Sequence, residues 1–145
     1  MTISLPTNSK MLTKEFTFGV ATASFQIEGA NSADGRLPCI WDTFCATPGK
    51  VLNGDDGSKA CNHYNLWQED VQLIKSLGVD AYRLSIAWPR LMDEKGQANE
   101  KGIEFYRNLL KSLKAQGLQT FVTLYHWDLP QYLEDRGGWV NRETA

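Results

Sequence analysis

Apolar positions along the chain switch between two spacings, and the switching predicts strands and helices in turn. Residues 16–21 (F-T-F-G-V-A) form a short, nearly continuous apolar run that reads as a strand. A helical stripe follows from Trp67 through Val71 and Ile74 to Leu77, at spacings of four, three and three, with Gly78 as its stop. Residues 81–86 (A-Y-R-L-S-I) predict a second strand. Asn99 opens a second helix whose Ile103, Tyr106, Leu110 and Leu113 share a face until Gly117 ends it. Residues 120–125 (T-F-V-T-L-Y) predict a third strand, and residues 141–145 read as the opening of a third helix.

Strand, helix, strand, helix, strand, with strands apolar along nearly their whole length, calls for a parallel sheet with right-handed crossovers. Three strand–helix units in 145 residues resemble the first part of a (β/α)8 barrel, which needs about 250 residues. The expected fold is therefore α/β, the first three units of a TIM barrel that does not close within this length. A doubly wound nucleotide-binding sheet ranks below it, because the turn after the first strand carries A-T-A-S-F-Q-I-E-G and not G-x-G-x-x-G. Residues 1–15 read as an N-terminal extension and 16–145 as part of one barrel domain. The connection from Thr22 to Tyr64 spans 43 residues, against the two to six or so usual for such a loop, and long loops at that end of a sheet serve sites.

Composition narrows the class. Fifteen basic and 17 acidic residues give a net charge of −2 without a Lys/Arg cluster, which argues against a nucleic-acid surface. With 42% hydrophobic and 22% charged residues the chain can bury a core. Cys39, Cys45 and Cys61 match neither a metal clip nor a disulfide framework and read as reduced thiols of a cytoplasmic protein. No stretch has the form of a signal peptide or a membrane span. Five tryptophans supply flat apolar faces that suit a core or a sugar cleft equally.

In a parallel barrel the site lies at the carboxyl ends of the strands. Gln26 and Glu28 follow the first strand, Arg83 and Trp88 lie in and after the second, and His126, Trp127 and Asp128 follow the third. Amide and imidazole groups both give and receive hydrogen bonds, as a polyol requires, and indoles stack on sugar faces. Each residue also has a structural reading. Gln26 could cap loop backbone, His126 could be a satisfied structural imidazole, Arg83 could belong to a buried ion pair, and the tryptophans could be packing. Two carboxylates about 5 Å apart would be needed for a retaining glycosidase. Glu28 and Asp128 are poor candidates, since Glu28 sits in a glycine-flanked turn suited to pairing with backbone or arginine, and Asp128 precedes Leu129-Pro130 as a turn or cap residue.

The segment F-T-F-G-V-A-T-A-S-F-Q-I-E-G-A at residues 16–30 resembles the N-terminal signature of glycoside hydrolase family 1. The likeness continues through I-W-D-T-F (40–44), P-G-K-V (48–51), A-C-N-H-Y, Q-E-D-V, A-Y-R-L-S-I-A-W-P-R (81–90) and Y-H-W-D-L-P (125–130). It implies a (β/α)8 barrel that hydrolyses β-glycosides with retention, and the wording is closer to β-glucosidases than to 6-phospho-β-glycosidases. By the resemblance, Gln26 and His126 would hydrogen-bond hydroxyls of the nonreducing sugar and Trp127 would line the same subsite. Arg83 would stand beside the nucleophile and hold it ionised.

The family's acid/base segment T-x-N-E-P and nucleophile segment x-T-E-N-G are both missing from these residues. The resemblance therefore implies an N-terminal fragment with part of a sugar subsite, no catalytic glutamate, no cofactor and no turnover alone. A β-glucoside or small oligosaccharide is the implied substrate. Open sheet edges further suggest self-association or complementation by the rest of a barrel, and a noncatalytic sugar-binding or scaffold role is the alternative.

Overall fold

The computed structural model describes residues 4–145. Of the expected N-terminal extension, residues 1–3 lie outside the described residues. The remainder carries a single 3-10 turn, Lys10–Leu12, with no buried residue.

Three strands, β1 (Gly19–Ala21), β2 (Ala81–Ser85) and β3 (Gln119–Thr123), form one parallel sheet in sequence order. Ala21 is in register with Arg83, and Ser85 with Thr123, so the carboxyl ends of β2 and β3 finish level. β1 is shorter than residues 16–21 because the Phe18 amide turns to the Asp80 carboxylate at 3.0 Å instead of joining the ladder. The sheet has two open edges, β1 and β3.

The crossovers are α3 (His63–Ser76) and α5 (Glu100–Ala115). Both end as expected: Gly78 and Gly117 take φ of 69° and 77°, the left-handed conformation that closes a helix without a Cβ penalty. Val71 and Ile74 of α3 face Tyr82 and Leu84 of β2, with Phe105, Tyr106, Leu109 and Leu113 of α5 completing the core. The stripes are displaced from the expected ones. Leu77 is exposed because α3 ends before it, and Ile103 and Leu110 are half-buried because α5 turns Phe105 and Leu109 inward. Gly102 permits this approach, since a Cβ there would stand 2.0 Å from the Arg90 carbonyl oxygen.

The long connection after β1 is structured. It contains α1 (Ser24–Ile27) and α2 (Ile40–Ala46), and it is pinned over the strand ends. The Leu37 and Ile40 amides donate to the carbonyls of Pro89 and Leu129, each at 2.9 Å. Two short helices follow β2 and β3, α4 (Trp88–Leu91) and α6 (Gln131–Asp135). The expected third helix at 141–145 is a 3-10 turn over Arg142–Thr144, started by Asn141, whose side chain accepts from the Glu143 amide at 3.0 Å. Among the described residues no helix is long and apolar enough to cross a membrane.

Candidate active site

Strand alternation sends Arg83, Ser85 and Thr123 to the face opposite the helices, so polar groups gather where the sheet is uncovered. Ser85 reaches across to α1, accepting from the Ser24 amide at 2.7 Å and donating to Ser24 Oγ at 3.1 Å. Ser24 Oγ in turn donates to Asp128 Oδ2 at 2.7 Å. All three residues are buried. This knot ties the segments after β1, β2 and β3 together, and it fixes Gln26 relative to His126. The sequence reading missed Ser24 and Ser85, although a serine buried among strand apolars was a usable signal, because burial demands a partner.

Gln26, His126 and Trp127 do converge. With Ala23, Phe25 and Trp41 they line one cleft of about 340 Å³ at the carboxyl end of the sheet. Phe25 and Trp41 lie with ring centroids 6.3 Å apart, and Phe44 meets Trp41 edge-on at 5.9 Å, giving the cleft an aromatic wall. Trp127 stacks on His126 at 5.4 Å and 27° and is 65% exposed. Its φ of 67° is unusual for a bulky residue and costs about 1–3 kcal/mol, which burial of its own indole does not offset.

The ion-pair alternative for Arg83 is not met: among the described residues no acid lies within ion-pair distance of it. Instead Nε donates to Thr123 Oγ1 at 2.8 Å and Nη2 to His126 Nδ1 at 3.2 Å. Trp88 packs edge-on against Tyr125 and beside Trp139, away from the residues lining the cleft.

Glu28 and Asp128, the carboxylates that follow β1 and β3, are committed elsewhere. Glu28 accepts from Arg90 Nε at 3.1 Å and from the Tyr106 hydroxyl, as a residue paired with arginine would. Burial pushes its carboxyl up from the ordinary value, opposed by the Arg90 guanidinium and the Tyr106 hydroxyl. Burial, with Glu28 alongside, also pushes the Tyr106 hydroxyl well above its usual range. Asp128 is buried and accepts from Ser24 and, at 3.4 Å, from the His126 amide. Neither lines the cleft.

A polar pair, a guanidinium behind it and an aromatic wall at the carboxyl ends of parallel strands suit a polyhydroxylated ring. Residues 8–145 match the family model described as glycosyl hydrolase family 1. The chain belongs to that family. As a family 1 chain it is 58% identical over 132 residues to a β-glucosidase of an Agrobacterium strain, covering 90% of this chain and 29% of that protein. It is 53% identical to β-glucosidase A of Thermotoga maritima, covering 95% of this chain and 31% of that one. The solved structure of the AHE enzyme from Alicyclobacillus herbarius superposes with a TM-score of 0.88 at 57% identity, over 98% of this chain and 31% of that chain. A Thermotoga maritima β-glucosidase solved with castanospermine gives 0.87 at 54% identity, over 90% and 30%. The chain thus spans about three-tenths of the length of its family 1 relatives, and its three-stranded sheet is a TIM-barrel portion of the same architecture.

Proposed function

We propose that this chain is the front part of a retaining β-glucosidase that removes terminal nonreducing β-D-glucosyl residues. Residues 16–145 would supply one flank of a single barrel domain behind an extension at 1–15. Gln26 and His126 hold sugar hydroxyls, Trp127 lines the same subsite, and Arg83 supports the nucleophile that another segment contributes. The observation that carries this reading is the meeting of Gln26, His126 and Trp127 in one cleft from two loops a hundred residues apart in sequence.

The 145 residues are inert alone on this reading. Protonation of the leaving group and attack at the anomeric carbon each need a positioned carboxyl group, and Glu28 and Asp128 are both held in buried networks. A cytoplasmic setting rests on the three unpaired cysteines. The test is hydrolysis of an aryl β-glucoside by the purified chain, with binding of glucoimidazole measured in parallel. Binding without turnover is expected. Turnover abolished by Glu28→Gln or Asp128→Asn would refute the carboxylate assignment, and absence of binding would refute the subsite.

A scaffold reading has its own support. Phe121 and Leu124, in and after the edge strand β3, are 49% and 77% exposed, so this edge offers apolar surface and unpaired backbone to a second copy or to the rest of a barrel.

A further inference from the structure

We propose that Arg83 is a positioning residue that fixes the tautomer and aim of His126, so that the cleft presents a hydrogen-bond donor, Nε2–H, to its ligand. A guanidinium is always protonated and has no acceptor, so in the 3.2 Å contact between Arg83 Nη2 and His126 Nδ1 the arginine must donate. Nδ1 is therefore the unprotonated nitrogen, and the imidazole proton sits on Nε2. A hydrogen on Nδ1 would point at the N–H of Arg83, so the contact selects the tautomer whose Nδ1 lone pair faces the guanidinium.

Two further contacts make the arrangement rigid. Thr123 Oγ1 accepts from Arg83 Nε at 2.8 Å, which sets the plane of the guanidinium from the neighbouring strand. Trp127 stacks on the imidazole at 5.4 Å and hinders a ring flip that would exchange the two nitrogens. The order of influence runs from Thr123 to Arg83 to His126 Nδ1 and emerges at Nε2. A group held as donor only demands an acceptor. On the sugar reading of the cleft, on which this last step rests, His126 meets a hydroxyl oxygen through its lone pair and leaves that hydroxyl's own proton for another acceptor.

The test is nitrogen NMR of the 145-residue chain labelled with 15N-histidine, near neutral pH, with Arg83→Met and Thr123→Val as variants and glucoimidazole as the probe. The expected wild-type spectrum shows one His126 species, protonated at Nε2, with Nδ1 displaced by an accepted hydrogen bond. Arg83→Met should return Nδ1 to the unbonded value and populate a second, Nδ1–H species. Thr123→Val, close in size but without the acceptor for Arg83 Nε, should give an intermediate Nδ1 shift. Glucoimidazole should move the wild-type Nε2–H resonance and bind Arg83→Met about tenfold more weakly. A wild-type His126 protonated at Nδ1 or at both nitrogens would overturn the proposal, as would an Nδ1 shift unchanged in both variants. A fixed Nε2–H tautomer with no response to glucoimidazole would uphold the role of Arg83 while refuting the sugar subsite itself.

Discussion

Removing the guanidinium of Arg90 tests the energetics beneath the cleft. Arg90 is fully buried, donates to Glu28 at 3.1 Å and to the Gly29 carbonyl at 3.2 Å, and lies over the Tyr64 ring at 4.0 Å. Arg90→Met keeps most of the volume but leaves the buried Glu28 carboxylate with only the Tyr106 hydroxyl as partner. Stripping one partner from a buried ion pair costs about 3–5 kcal/mol, a large part of the roughly 5–15 kcal/mol that holds a domain folded. The loss should depend on pH with a definite sign. Without Arg90 the Glu28 pKa, already raised by burial, rises further, so the folded state favours the protonated acid. A raised acid contributes full stability below its unfolded value, ordinarily 4.5, and loses it as pH climbs through the folded value. The deficit of Arg90→Met should therefore be greatest at neutral pH and shrink towards pH 4.5. Urea denaturation followed by tryptophan fluorescence at several pH values measures it. Adding Glu28→Gln to Arg90→Met should recover at least about 1 kcal/mol at neutral pH, since no charge is then stranded. A single-variant loss below about 1 kcal/mol, a loss flat with pH, or a double variant no better than the single would refute the reasoning.

Gly102→Ala should lower the unfolding midpoint by several degrees, because the new Cβ would lie 2.0 Å from the Arg90 carbonyl oxygen and force α5 off α4; an unchanged melting curve would show that the two helices can part freely. Ser85→Ala should cost about 1–3 kcal/mol in urea unfolding, since the buried Ser24 amide loses its acceptor. Cys61 should alkylate first and Cys39 last under native conditions, because Cys61 is exposed whereas Cys39 is buried with its thiol pushed up to about 12; mass spectrometry of iodoacetamide-treated peptides reads the order. Leu124→Lys should reduce any self-association seen by sedimentation at two concentrations while leaving the secondary structure intact, and an undiminished oligomer would place the interface elsewhere.

The alternation of apolar spacings was enough to locate α3, α5 and the three strands, because burial against a neighbouring layer imposes the periods 3.6 and 2 on any chain that achieves it. Gly78 and Gly117 announced the helix ends because only glycine takes the left-handed turn there without cost. The residues after each strand were also legible as site candidates, since a parallel sheet exposes its carboxyl ends. Family membership was legible in the motif run itself, and the match over residues 8–145 agrees with it.

Partnership was not legible. Nothing in the run A-Y-R-L-S says that Arg83 meets Thr123 and His126 and not an acid, because the choice depends on register with β3 and on a loop forty residues downstream. Gln26 on α1 and Glu28 just past its end stand two positions apart, yet Glu28 is buried against Arg90 and Tyr106 while Gln26 lines the cleft. Local pattern fixes which way a residue faces relative to its own element. The groups it meets from other elements, and therefore whether a carboxylate braces the core or an imidazole offers a proton, are decided only when distant segments pack, since hydrogen bonds and charge pairs act over a few ångströms in space without regard to separation along the chain.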